Sequence, residues 1–550
     1  MIINFDRSPE EYYRLSRIAL DEGEPDRALT YGLKAARGKG TTEYKLSLAE
    51  IFLRMERYSE AMDMALEALC YGRGLRSELY DVLARATSGM GDFYDSLHYI
   101  ALRAQADGDE EALDAMDEMM EEFESGAPSA PANDFYVVGK KEKEQPSLSL
   151  MRATMHLHEG RWREAMETLA EIDEDSEYYL EAMIQKIRAQ VTGGDLDGAA
   201  QKAEEAVKRD PTKAYPLYVL TERCHRKEYI PLLKGVQGSR QELCCAIAAA
   251  ESVDAREIAG ALADKLVKEN PYSPEAYFTA AAIRFNDGEK EESVDLLKRL
   301  FAVCPKYPAG PILRGWGRLR KCTVSFSGEM PPEVRGILRR YVKSRAKKVE
   351  DFVHSILTDE DFRLSVALLF ESDDRTVTDD LICDLDIAND PQTDAFFSKL
   401  LIRVGVDSSR KRAILARLFR HKDKGKIPLV PVGVPTFFSC AKPKNYPLYP
   451  NCLKIAYVNL RTFFACLTGE SMDEGLDELA ERAFTLKGIE KESAMTLCGA
   501  MLLHIIYDLD DMPITGADSE EDCCRNIMRE EFGAQRLPMG KVRRIHLSLF

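Results

Sequence analysis

Seven stretches of this chain repeat one pattern at intervals close to 34 residues, and that periodicity limits the fold more than any other feature of the sequence. The clear copies are GEPDRALTYGLKAA (23–36), ERYSEAMDMALEAL (56–69), GRWREAMETLAEI (160–172), GDLDGAAQKAEEAVKRDP (194–211), DAREIAGALADKLVKENP (254–271) and GEKEESVDLLKRLFAVCP (288–305). A looser one is GDFYDSLHYIALRA (91–104). Their opening turns lie 33 residues apart from Gly23 to Glu56, 35 from Glu56 to Gly91, and 34 from Gly160 to Gly194 and from Asp254 to Gly288. Each copy is a turn followed by apolar residues at helical spacing. A unit this short has no core of its own, so copies must stack.

Aligning the turns also exposes the helix that precedes each one. Small residues fall seven positions before the turn (Ser16, Ala49, Ala84, Ala153, Ala281) and five after it (Ala28, Ala61, Ser96, Ala165, Ala199, Ala259, Ser293). Two helices joined by a short turn come closest where they cross, and only small side chains fit there. The glycine that opens most turns supplies a left-handed cap, and Pro211, Pro271 and Pro305 stop the second helices.

The pattern resembles the tetratricopeptide repeat family in its bacterial-type, multi-repeat form: helix–turn–helix units of 34 residues, small at the crossing, ending in proline. The resemblance covers residues 8–310, with 105–146 outside it and YPLYVLTERCHRKEYIPLLKG, within 212–238, a degenerate copy. It implies an all-α fold, an α-solenoid. It also implies a scaffold or adaptor that binds a protein or peptide partner through the concave face, lined by the first helix of each pair. Chaperone-tail receptors of this family carry a lysine and asparagine clamp. The matching positions here are Tyr13, Arg17, Ser47, Glu78 and Val82, so that activity is not expected.

Four segments follow from this reading: an N-terminal block of about three repeats (1–104), an acidic helix and flexible linker (105–147), a second block of about four repeats plus the degenerate one (148–311), and a C-terminal helical domain (312–550). The linker contains SGAPSAPAND and KKEKEQPS, which have too little apolar surface to order themselves. In the last segment, 390–405 and 407–421 read as a helical pair resembling HEAT repeats. KIPLVPVGVPTFF (426–438) suits an edge hairpin. Helices are expected over 453–467, 472–486, 490–507 and 520–532, before the basic, apolar tail GKVRRIHLSLF.

No catalytic, metal or cofactor signature accompanies the repeats. Phosphate-loop, zinc-protease, nucleophile-elbow and EF-hand motifs are absent, and the lone G-x-G of RGWGRLR follows no strand. The thirteen cysteines never take C-x-x-C spacing and read as reduced core thiols of an intracellular protein. His156 and His158, two apart, point to different faces of a helix and cannot share an ion, and DLDD (508–511) reads as a solvated loop. MIINFDRSPEEYYRL carries no secretory signal. The longest apolar run, Ala494–Tyr507, is too short to span a bilayer, so a soluble, cytoplasmic protein is expected.

Two surfaces stand out as candidates. Arg17, Arg85 and Arg188 take the same inward-facing position in three repeats, with Glu50 and Thr154 at that position between them, and arginines in a groove suit carboxylates. The other is the basic helix 335–348, with Arg335, Arg339, Arg340, Lys343, Arg345, Lys347 and Lys348 opposite an apolar side of Val334, Ile337, Leu338, Tyr341 and Val342. That helix and the tail support an alternative reading, a regulatory protein associated with nucleic acid. A net charge of −18 argues against nucleic acid as the main partner.

Overall fold

The computed structural model describes residues 8–36, 41–90, 93–109, 113, 149–150, 153–154, 156–157, 160–326, 330–372, 374–422, 424–431, 435–467, 473–508, 519–530, 532–534 and 536–549. The expected linker and His158 lie outside the described residues, apart from the end of one helix before it. Two compact units divide the chain, Met1–Val342 and Lys343–Phe550.

The first unit is built of antiparallel helix pairs: α1 (Pro9–Asp21) with α2 (Pro25–Ala36), α3 (Thr42–Arg54) with α4 (Tyr58–Tyr71), and α5 (Arg76–Met90) with α6 (Phe93–Asp107). After α7 (Trp162–Ala170) come α8 (Tyr179–Gly193) with α9 (Leu196–Arg209). Beyond the short α10 (Ala214–Tyr218), α11 (Arg240–Ser252) pairs with α12 (Arg256–Glu269) and α13 (Pro274–Asn286) with α14 (Lys290–Val303). Gly23, Glu56, Gly160, Gly194, Asp254 and Gly288, the residues that open the repeating turns, all have φ between 55° and 89°.

All twelve small residues at the crossings are at most 6% exposed. Where serine replaces alanine, its hydroxyl crosses the interface. Ser16 donates to the carbonyl of Ala28 at 2.9 Å, Ser96 to that of Ala84 at 2.9 Å, and Ser293 to that of Ala281 at 2.7 Å. These helix pairs form a TPR-like repeat fold.

The degenerate copy departs from the pair geometry. Its first helix, α10, opens into a π-helical turn (Val219–Arg223), and its second is a 3-10 stretch (Lys227–Gly235). Pro231, inside that stretch, has no N–H to sustain an α-helical ladder. The unit closes with α15 (Ala309–Trp316), whose Trp316 indole N–H donates to Ser293 Oγ at 2.9 Å, and with most of α16 (Pro332–Arg345).

The second and last repeats also meet. Arg57, only 4% exposed at the head of α4, donates to the Val303 carbonyl and to Cys304 Sγ (3.0 Å) at the end of α14. Glu60 joins the cluster, 2.8 Å from Arg57 and 3.4 Å from Lys306.

In the second unit, α17 (Val349–Thr358), α18 (Glu360–Glu371), α19 (Arg375–Ala388), α20 (Pro391–Leu400) and α21 (Ser408–His421) enclose the rings of Phe352, Phe362, Phe370 and Phe397. The helix expected to run to Gly405 stops at Leu400, because residues 401–406 turn back and the Leu401 carbonyl accepts from Val430 N–H. The expected hairpin is present: β1 (Lys426–Leu429) pairs antiparallel with β2 (Thr436–Ser439), Pro428 opposite Phe437. Arg461 lies against the rings of Phe419, Phe438 and Tyr457 and donates to the carbonyls of Ser439 and Ala441, anchoring the hairpin to α22 (Asn451–Leu467). Then come α23 (Asp473–Phe484), α24 (Ala494–Asp508) and α25 (Glu520–Glu530). The helix expected from Glu490 begins at Ala494, after a 3-10 turn at Ile489–Lys491. The basic tail forms α26 (Met539–Ser548), burying Val542 and His546. Among the described residues no helix is long and apolar enough to cross a membrane.

Candidate peptide-binding surface

Three successive first helices, α1, α3 and α5, aim polar side chains into one pocket of about 610 Å³. Stacking alone brings them together, since equivalent positions of neighbouring repeats line up. Arg17, Glu50 and Arg85 come from the aligned position, and Arg54 enters one turn beyond Glu50. Asp21 adds a second carboxylate. Arg17 is ion-paired with Glu50, its side chain 42% exposed. Arg85 lies 3.4 Å from Asp81, which Arg103 approaches more closely at 2.7 Å. Arg54 is exposed and has no ion-pair partner among the described residues. The sequence alignment passed over Arg54 because it lies outside the aligned column; its i+4 spacing from Glu50 was the available signal.

Thr154 and Arg188 are placed elsewhere. The Thr154 hydroxyl donates to the Leu150 carbonyl one turn back, at 2.9 Å. Arg188, on α8, lays its guanidinium over the Tyr215 ring, 4.9 Å from the centroid. Burial pushes the Tyr215 phenol up to about 12 in spite of that cation.

Tyr215 belongs to a second concentration of recognition-type contacts, which sequence reading missed. Residues 321–325 lie outside any helix or strand. The Cys322 N–H donates to Asn286 Oδ1 and the Cys322 carbonyl accepts from Asn286 Nδ2, both at 2.9 Å. Phe326 meets Tyr218 and Tyr215 edge-on, at centroid distances of 5.1 and 6.0 Å. Val324 and Phe326 pack on the apolar core that α8 to α13 share. The available signal was the alternation of Cys322, Val324 and Phe326 with polar residues, the period of an extended chain.

The basic stretch is not one helix. α16 ends at Arg345, Lys348 is extended (φ −136°, ψ 160°), and α17 begins after it, so Lys347 and Lys348 lie in the bend. Arg335 and Arg339 are half-buried; Arg340, Lys343, Arg345, Lys347 and Lys348 are exposed. Arg345 lies 3.8 Å from Asp359. The boundary between the two compact units falls within this helix, after Val342.

No family model matches the chain, and no curated protein is similar to it. Among solved structures it is similar to yeast Tom70, at 13% identity over 75% of this chain and 92% of that one, with a TM-score of 0.27. It is also similar to a chain of the Naa15/Naa10 complex bound to HypK-THB (11% identity, 98% and 78% covered, TM-score 0.21). A third is a circular tandem repeat protein with a novel repeat topology (15% identity, 98% and 93% covered, TM-score 0.11). Superposition this loose adds nothing to the fold assignment, which stands on the turns and crossings of this chain's own repeats.

Proposed function

We propose that this chain is a protein-binding scaffold without chemistry of its own, and that its first three repeats hold an acidic segment of a partner. The observation that carries this reading is the convergence of Arg17, Arg54 and Arg85 on one pocket from three different repeats. Arginine offers a planar fork of donors to a carboxylate, and Arg54 stands in the pocket with no ion-pair partner among the described residues. The Arg17–Glu50 pair is exposed enough for a competing carboxylate to exchange into it at small cost. The alternative, a nucleic-acid surface at 335–348, has weaker support: two of its seven cations are half-buried and Arg345 faces Asp359.

The test uses the full chain against an array of fluorescent acidic decapeptides, followed by capture of partners from lysate. The variants are Arg17→Ala, Arg54→Ala and Arg85→Ala, each titrated at two salt concentrations. Groove binding requires weaker affinity and a shallower salt dependence in at least two of them. Wild-type binding by all three would remove the reading's support.

A further inference from the structure

We propose that residues 321–326 are an internal ligand, held by the second repeat block in a groove built for extended peptides, and that a partner segment of the same pattern displaces them. This rests on the reading of the repeats as a peptide-holding surface, but on a different block from the arginine pocket.

The first support is how the backbone is taken. Asn286, the last residue of α13, meets both polar groups of a single residue, Cys322, with the two halves of its amide. Glu251, at the end of α11, accepts from the same Nδ2 at 2.9 Å, which fixes the amide's orientation because a carboxylate can only accept. A contact of this kind reads main chain and not side chain, so it serves any extended segment laid across it.

The second support is the pocket that reads a side chain. Phe326 lies four residues beyond the clamped residue. It enters a group of two rings, Tyr215 with Arg188 over it and Tyr218 with Arg223 over it. Val324, midway, packs on the same core, while Thr323 faces outward and bonds Glu333 at 2.7 Å. A backbone clamp, an apolar contact at the second residue and an aromatic socket at the fourth together define a recognition pattern.

Tethering explains why the groove is filled. A segment joined to its receptor by a short stretch of chain is present at an effective millimolar concentration, so it outcompetes free peptides of ordinary affinity. The partner that fits is an extended peptide with a small apolar residue two positions before an aromatic one.

The experiment uses the full chain and a fluorescein-labelled peptide of residues 319–326, LRKCTVSF, carrying Cys322→Ser. Phe326→Ala empties the socket and should raise affinity for this probe at least tenfold over wild type. Adding Asn286→Ala should abolish the gain. Hydrogen exchange supplies the control: amides of 321–326 should be protected in wild type and released in Phe326→Ala, with helices 214–286 protected in both. No gain in probe binding would make the segment a fixed strut and overturn the proposal, as would loss of protection in helices 214–286. A gain that survives Asn286→Ala would overturn the clamp. Acidic-peptide binding that depends on Arg17 and Arg85 should be untouched by Phe326→Ala, so failure of one reading leaves the other standing.

Discussion

Arg57 donates to the carbonyl oxygen of Val303, 246 positions further along the chain. The guanidinium is almost fully buried, and Glu60 and Lys306 complete a charged cluster around Cys304. Removing one member of a buried ion cluster strands the others. Arg57→Met should therefore destabilise the chain by about 3–5 kcal/mol, measured by urea unfolding. Arg57→Met combined with Glu60→Leu should cost less than the sum of the two single variants, because each change alone already breaks the same ion pair. Strictly additive losses would mean the cluster contributes packing only.

Burial alone would raise the Glu60 carboxyl, but the charges of Lys306 and Arg57 outweigh it and hold the group at about 2, against an ordinary value of 4.5. A carboxyl depressed by folding stabilises the protein fully above its unfolded value, and that stability is lost as pH falls through the folded value. Between pH 4.5 and 2 the wild type should lose on the order of 3 kcal/mol from this group. Glu60→Gln should show a correspondingly flatter acid limb in unfolding midpoints. Parallel acid limbs would assign the pH dependence to other carboxyls.

Ala61 and Ala199 are fully buried at helix crossings. Ala61→Leu and Ala199→Leu should each lower stability by roughly 1–3 kcal/mol, since extra methylenes there force the paired helices apart. Ala153→Leu should behave likewise. An unchanged melting temperature in all three would contradict the crossing geometry.

Glu56 and Asp254 occupy left-handed turn positions that Gly23, Gly160, Gly194 and Gly288 fill in other repeats, with φ of 55° and 57°. A Cβ is strained there. Glu56→Gly and Asp254→Gly should each stabilise the chain by up to about 1 kcal/mol, read from the unfolding midpoint. Destabilisation would show that the side chains contribute more than the backbone strain costs.

Cys383 is exposed, whereas Cys304 and Cys322 are buried, and burial pushes the Cys304 thiol up to about 12. Brief iodoacetamide treatment of the native chain, followed by peptide mass mapping, should modify Cys383 well before either of the others. Early modification of Cys322 would place the 321–326 segment outside its groove.

What the sequence disclosed about this fold is whatever repeats. Ser16, Ala61 or Ser293 can be found without coordinates because a crossing tolerates few residue types and returns at a fixed interval. Arg17, Glu50 and Arg85 could be aligned for the same reason, and stacking then carries them to one pocket. Features that occur once were hidden. Arg188 faces Tyr215 across the junction with the degenerate repeat, where alignment has no register to follow. The Asn286 side-chain amide meets only backbone atoms of Cys322, so the partner it selects leaves no trace in side-chain type. Arg57 and Val303 are joined by a contact whose length in sequence no local rule addresses.

Tandem arrays are ordinarily quasi-one-dimensional: each unit touches its neighbours, the termini fray first, and whole units can be inserted or deleted. The contact from Arg57 to Val303 removes that freedom here. A unit added anywhere between residues 57 and 303 would carry the two partners out of reach, so the number of repeats between them cannot change without losing the junction. The junction also raises the mean sequence separation of contacts, which slows folding relative to an open array of equal length. In this chain the number of repeats is itself a structural constraint, enforced by a single buried guanidinium.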